Sequence, residues 1–356
     1  MRAGAYILTT TRMSGRVTPN PIDSDENVPS WTPARFGVRS VAVVVIVGLL
    51  SIVGSLCSFS LCPAQSVTPM PEASTAASEP ITPIPDPPAI DPLKVSLGKQ
   101  LFNDPRLSRG NSHSCAACHD VQTNGATKQS RDLGLDGSLL QFNTPTVFNA
   151  ALNFRFSWRG KFPTLQADAL ASLASSHIMS ITLGDAAEKL RADPSMRRAF
   201  IEAYATGPDA DNIVDAIVSY ERTLVTPNSK FDRWLKGDAT ALSEHELKGY
   251  RLFKSLGCVS CHQGMNVGGN LFEQRGVFTA PPSSPPDVFR VPSLRNVAVT
   301  PPYFHNGSAP TLDEAVRRMA RSQLNTALPD ADISAIVAFL NTLTGEYQGA
   351  PVRAAP

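Results

Sequence analysis

The chain has 356 residues, with 32 Lys and Arg against 31 Asp and Glu, six His and a formal charge of +1. This near-neutral balance contains no Lys/Arg block of the kind that tracks phosphates, so nucleic acid is excluded as an expected partner. The length is enough for an export or membrane segment followed by two domains of ordinary size, each able to bury a core.

In chain order, residues 1–40 are polar and carry Arg2, Arg12, Arg16, Arg35 and Arg39. No charged residue occurs from Ser40 to Pro71, and Val41 to Leu61 is almost continuously apolar, spanning about 30 Å as a helix at ~1.5 Å per residue. The positive-inside rule keeps residues 1–40 in the cytoplasm and sends the remainder across, so a periplasmic location is expected. Residues 41–62 read either as a retained transmembrane anchor or as a cleaved signal, with Cys62-Pro-Ala64 as a fair cleavage site. Cys57 and Cys62 are read as small apolar residues of that segment. Residues 63–92, rich in Pro, Ala, Ser and Thr without a periodic apolar face, read as an extended linker. Leu93, Val95, Leu97, Leu101 and Phe102 open the first helix, and further helices are predicted at 163–174, 185–192, 211–224, 243–256, 311–322 and 331–343, with few strand signals.

Two segments, Cys115-Ala-Ala-Cys118-His119 and Cys258-Val-Ser-Cys261-His262, repeat the pattern C-x-x-C-H. The spacing lets two thiols form thioethers to a porphyrin while the adjacent imidazole ligates its iron, so two covalent haem c groups are predicted. Zinc would want further Cys or His pairs at ligand spacing, and a redox dithiol gives no reason for a His after both copies. The flanks repeat as well, Gly98-Lys-Gln-Leu-Phe102 before the first motif and Gly249-Tyr-Arg-Leu-Phe253 before the second. The first copy has an insertion at Asn103 to Gly110, which makes the two sites related but unequal.

With these motifs, residues 91–346 resemble the bacterial dihaem cytochrome c peroxidases. The matching stretches are Leu97 to Ser108, Asn143-Thr-Pro-Thr-Val-Phe-Asn-Ala150, Phe231 to Asp238, Leu256 to Gly264, Val291 to Asn296 and Pro302 to His305. The MauG-type branch, which matures a tryptophan-derived quinone in a partner protein, shares this framework. The implied fold class is mainly α: two cytochrome c-like haem domains in tandem, 93–228 and 229–346, after the N-terminal membrane or export segment and before a tail, 347–356. The resemblance implies that His262 and Met319 are axial ligands of a second, electron-transferring haem, a position where the MauG branch has Tyr. It implies a peroxidatic first haem on His119, Trp158 between the two, and a calcium ion held by Asn143 and the carbonyls of Thr300 and Pro302. Read without the resemblance, Met319 and Trp158 would be core residues and Asn143 a turn residue.

The first site departs from the family pattern. A distal His common in the family corresponds to Leu135, which cannot ligate, so the first haem is expected to be open or bound by another side chain. The family's distal Glu and Gln correspond to Ile178 and Asp168, and His177 and Asp168 are the candidates to move protons in their place. Arg290 and Arg295 are read as haem propionate partners or as ordinary surface pairs, and Gly264 to Gly269 as a loop beside the second haem. The leading expectation is a peroxidase that reduces H2O2 with electrons from a small cytochrome c or copper protein. The alternatives are a MauG-like oxidase of a partner protein or small molecule, and a non-catalytic electron carrier. Family members are often dimers, so a homodimer is implied.

Overall fold

The computed structural model describes residues 79–278 and 287–356, all within one compact unit, Met70–Pro356. Residues 1–40, the anchor or signal 41–62 with Cys57 and Cys62, and the first part of the linker lie outside the described residues. Among the described residues no helix is long and apolar enough to cross a membrane.

The described chain is mainly helical. Its first half carries α1 (Pro92–Phe102), α2 (Cys115–Cys118), α3 (Leu165–Ala174), α4 (Leu183–Arg191), α5 (Pro194–Tyr204) and α6 (Ala210–Arg222). The second carries α7 (Lys230–Leu235), α8 (Glu244–Ser255), the antiparallel pair β1 (Phe272–Gln274) and β2 (Val288–Arg290), α9 (Leu312–Leu324), α10 (Asp330–Asn341) and a final hairpin of β3 (Glu346–Tyr347) and β4 (Ala350–Pro351). Side-chain N-caps start most of these helices. Thr164, Thr182, Asp209 and Thr311 each accept from a first-turn backbone N–H, and Ser229 and Ser243 form full capping boxes. The predicted helices appear with ends shifted by at most two residues. Three helices escape the prediction: the four-residue α2, α5, which buries only Met196 and Phe200, and the six-residue α7.

The repeated glycines set the crossing of each helix pair. A Cβ on Gly98 would lie 1.9 Å from the carbonyl oxygen of Ala216, and one on Gly249 would lie 1.8 Å from that of Ala335. Only glycine lets α1 meet α6, and α8 meet α10, at this approach. One turn on, Phe102 packs edge-on to Tyr220 at 5.4 Å, and Phe253 packs on Phe339 at 5.1 Å.

A second repeat runs deeper than the glycines. Asn149 (φ 60) and Asn296 (φ 59) both adopt the left-handed conformation and both begin a 3-10 turn. Antiparallel bridges Phe156–Phe162 and Tyr303–Ala309 follow, and Thr164 and Thr311 then cap α3 and α9. All these pairs keep one constant separation in sequence, so α3 and α9 correspond residue by residue: Leu165 with Leu312, Asp168 with Ala315, Ser172 with Met319. The glycine contacts align α6 with α10 in the same way, pairing Tyr220 with Phe339 and Glu221 with Leu340.

The insertion at 103–110 is pinned by charge. Arg106 pairs with Asp104 and Asp193 at 2.6 and 2.9 Å, and the Lys189 ammonium donates to the Ser108 carbonyl at 2.9 Å.

Both ends of the described residues cross to the opposite half. From Glu79 onward the expected linker is not free: Ile81 and Ile84 are fully buried, with Ile81 in the core of Phe231, Tyr250 and Phe339. Backbone polar groups of this strap are used too. The Pro80 carbonyl accepts from Gly264 N–H at 2.8 Å, and Ile84 N–H donates to Asp232 at 3.2 Å. Composition hid this, because two isoleucines among prolines show no period yet fill a groove. The expected tail is also packed, with Val352 buried among Phe102, Tyr220 and Leu224 of the first half.

Candidate haem sites

In each half the C-x-x-C-H motif follows the close helix crossing. Cys115 and Cys118 bracket α2, and His119 Nδ1 lies 3.2 Å from the Gly125 carbonyl oxygen. Cys258 and Cys261 bracket a 3-10 turn, and His262 Nδ1 lies 3.3 Å from the Val267 carbonyl oxygen. A carbonyl oxygen only accepts, so each Nδ1 carries the proton and each Nε2 keeps its lone pair for a metal. Burial lowers the pKa of both imidazoles, that of His262 to about 4, which holds them in the neutral, ligating form. Val267 adopts φ 48 with its side chain fully buried, a conformation rare for a β-branched residue, while its carbonyl serves His262.

Burial also raises the thiols, Cys115 to about 12 and Cys118 and Cys258 to about 11. These are not the low-pKa thiolates of a redox dithiol.

The second site opens into a largely apolar cavity of about 620 Å³. His262, Cys258, Cys261 and Met319 line it, as do Leu312, Ala315, Ile336 and Leu340. Trp158, Asn143, Thr300 and Pro302 reach the same cavity, so the residues predicted for the second haem, the path between haems and the cation come together there. Trp158 Nε1 donates to the Asn143 carbonyl at 2.7 Å, and the Asn143 amide nitrogen donates to the carbonyls of Gln129 and Ser130. Its Oδ1 is the side-chain atom left for a cation. Among the described residues no cluster of three or more His, Cys, Asp or Glu forms a metal site.

The two arginines separate. Arg295 is buried, paired with Asp232 at 2.8 Å and donating to the carbonyls of Met265 and Thr82, so its surface reading is corrected, and it also lines the cavity. Arg290 is 6% exposed and donates Nε–H to the Ser157 carbonyl, while its Nη1 is buried without a partner. A buried guanidinium nitrogen with an open valence fits a haem carboxylate. The neutral imidazoles, the cavity and this orphaned donor suit haem c.

Among the residues expected on the first site's distal side, Leu135 N–H donates to the His177 carbonyl at 2.9 Å. The His177 side chain is 62% exposed, with Nδ1 3.1 Å from Asp136 Oδ2, and Ile178 is also exposed. The structure thus turns His177 to the surface. Asp168 is part-buried on α3, and burial raises its carboxyl to about 6 against the pull of Arg290. Glu221 on α6 was missed from sequence. Burial, then Asp168, raises it to about 8, and its Oε2 has no hydrogen-bond partner.

Two C-x-x-C-H sites on duplicated helical frames define a c-type dihaem protein. The di-haem cytochrome c peroxidase family model matches residues 92–240 and the cytochrome c model residues 247–344. The chain is 41% identical over 288 residues to cytochrome c peroxidase Ccp of Escherichia coli, covering 76% of this chain and 62% of that protein's length. It is 40% identical over 289 residues to cytochrome c551 peroxidase of Nitrosomonas europaea, covering 76% and 86%. Methylamine utilization protein MauG of Methylorubrum extorquens is 32% identical, covering 72% and 80%. The crystal structure of a MauG-like protein associated with microbial copper homeostasis superposes with TM-score 0.65 at 25% identity, over 74% of this chain and 93% of that one. The chain belongs to the dihaem cytochrome c peroxidase family of oxidoreductases.

Proposed function

We propose that the protein reduces H2O2 to water with electrons from a small redox protein, a cytochrome c or a copper protein. Electrons enter at the His262/Met319 site, pass beside Trp158 and are used at the His119 site. The observation that carries this reading is that Met319 and His262 line one cavity with Trp158, in a chain about 40% identical to named peroxidases. Bound haem supplies iron that exchanges electrons with peroxide and donor. His119 and His262 would hold the irons through Nε2, and the Met319 thioether would favour the reduced state at the second site. Arg290 offers its free donor to a propionate, and Asn143 Oδ1 with the carbonyls of Thr300 and Pro302 offers hard oxygen ligands to calcium. Asp168 moves protons at the first site, in keeping with its part-buried, raised carboxyl; His177 is held in its surface pair with Asp136 and takes no part.

The test is EPR and optical spectroscopy of the oxidised haem protein, followed by H2O2 with and without one-electron reduction. A high-spin haem beside a low-spin His/Met haem, with turnover at rest, supports an open first site. Two low-spin haems inert to peroxide in both states sink the enzyme reading. Similarity to MauG favours a second reading, oxidation of a partner protein or small molecule. Peroxide consumed without donor oxidation, with a modified partner among the products, would select it.

A further inference from the structure

The internal duplication exposes a difference in chemistry between the two pockets. In the second half, Ala315 of α9 and Leu340 of α10 line the apolar cavity beside Met319. Their counterparts by register in the first half are Asp168 of α3 and Glu221 of α6, so the duplication sets two carboxylic acids at positions whose twins are aliphatic. Placing an acid where its twin is aliphatic costs free energy unless the acid is neutral or paired.

The neighbours fix where this pair sits. Glu221 acts electrostatically on the Cys115 thiol, the first haem's attachment point, and Asp168 acts on Glu221. From β2, Arg290 acts on Asp168. Lys94 of α1, which also packs on α6, is committed to Asp215 at 2.8 Å, and Lys189 of α4 to the carbonyls of the 103–110 insertion. Arg290 therefore favours the anion on Asp168, which leaves the proton on Glu221, whose Oε2 is unpartnered.

We propose that Glu221 is the proton store of the first haem pocket, recharging Asp168 during peroxide reduction. The proposal rests on the peroxidase reading and deepens it. Reduction of one H2O2 takes two electrons from the donor protein and two protons from solvent and gives two waters. Asp168 carries the peroxide's own proton from one oxygen to the other, so the first water departs without net proton uptake. The two protons of the second water arrive one at a time: the Glu221 carboxyl gives its proton to the Asp168 carboxylate, and solvent restores it. Glu221 is a positioning residue in this scheme, acting through Asp168.

The experiment compares the wild-type holoprotein with Glu221→Gln and Glu221→Asp in two readouts: the pH profile of peroxide turnover and the pH dependence of the first haem's reduction potential. In the wild type, turnover falls above about pH 8 and the potential changes slope there as the store empties. Glu221→Gln removes both features and lowers turnover about tenfold or more, while Glu221→Asp retains a titrating limb. Turnover with unchanged rate, profile and potential slope in the Gln variant overturns the store and leaves the peroxidase reading intact. A wild type without turnover, whose potential still titrates and loses that titration in the Gln variant, overturns the peroxidase reading and keeps the acid store. If the Gln variant fails to load haem, the wild-type potential decides: no pH dependence around pH 8 refutes the proposal.

Discussion

Ser172 stands in the first half where Met319 stands in the second, each two turns into a helix that begins one residue after a threonine cap. A hydroxyl is a poor iron ligand and a thioether a good one, so the duplication reproduces the asymmetry that Leu135 suggests. Ser172→Met is expected to supply a sixth ligand to the first haem, converting its EPR signal from high to low spin and reducing peroxide turnover. Met319→Ala is expected to remove the His/Met signature of the second haem and lower its potential, measurable by optical redox titration. Arg295→Leu leaves Asp232 as an unpaired buried charge and is expected to cost about 3–5 kcal/mol, read by denaturant unfolding of the holoprotein. The attachment cysteines and their histidines were legible because their chemistry is written in five consecutive residues. Glu221 was not, because an acid near a helix end is ordinary until Leu340 shows which wall it belongs to. His177 misled in the opposite sense: its proximity in sequence to Ile178 says nothing about the exposed pair it makes with Asp136.

At the scale of elements, the two tight helix crossings are the points of least tolerance. Gly98→Ala and Gly249→Ala each drive a methyl into a backbone carbonyl that cannot rotate away. Each is expected to destabilise its own half by about 1–3 kcal/mol or more, with the larger spectroscopic disturbance at the haem of the half that carries the change. Both glycines were visible in sequence as a repeat, but the carbonyls that require them, those of Ala216 and Ala335, lie far along the chain on other helices. Long helices with polar caps and an apolar face were found within two residues of their ends. The helix α7 was missed because six residues cannot display a period, and α5 because only two of its side chains are buried.

For the whole molecule, the exchange of ends governs stability. The strap from Glu79 binds the second half through Ile81, Ile84, the Pro80 carbonyl and a hydrogen bond from Tyr250 to Glu79 of 2.5 Å. Ile81→Ala removes a fully buried side chain and is expected to cost about 2–5 kcal/mol. Because Gly264, two residues past His262, is held by the strap, the second haem's His/Met band is expected to weaken before the first haem's spectrum changes. Equal and simultaneous changes at both haems would refute the strap's local role.

Synthesis from the N-terminus gives this exchange a temporal meaning. The strap is made early, yet Tyr250 follows Glu79 by 171 residues and Arg295 follows Thr82 by 213. Ile81 and Ile84 therefore wait uncovered while the entire first half is being made. That half, in turn, receives Val352 only after the helices of the second half have been made. Neither core is finished before Val352 is made, so shorter nascent chains carry exposed apolar surface, and a ribosome that stalls within either half releases an aggregation-prone product rather than a working half.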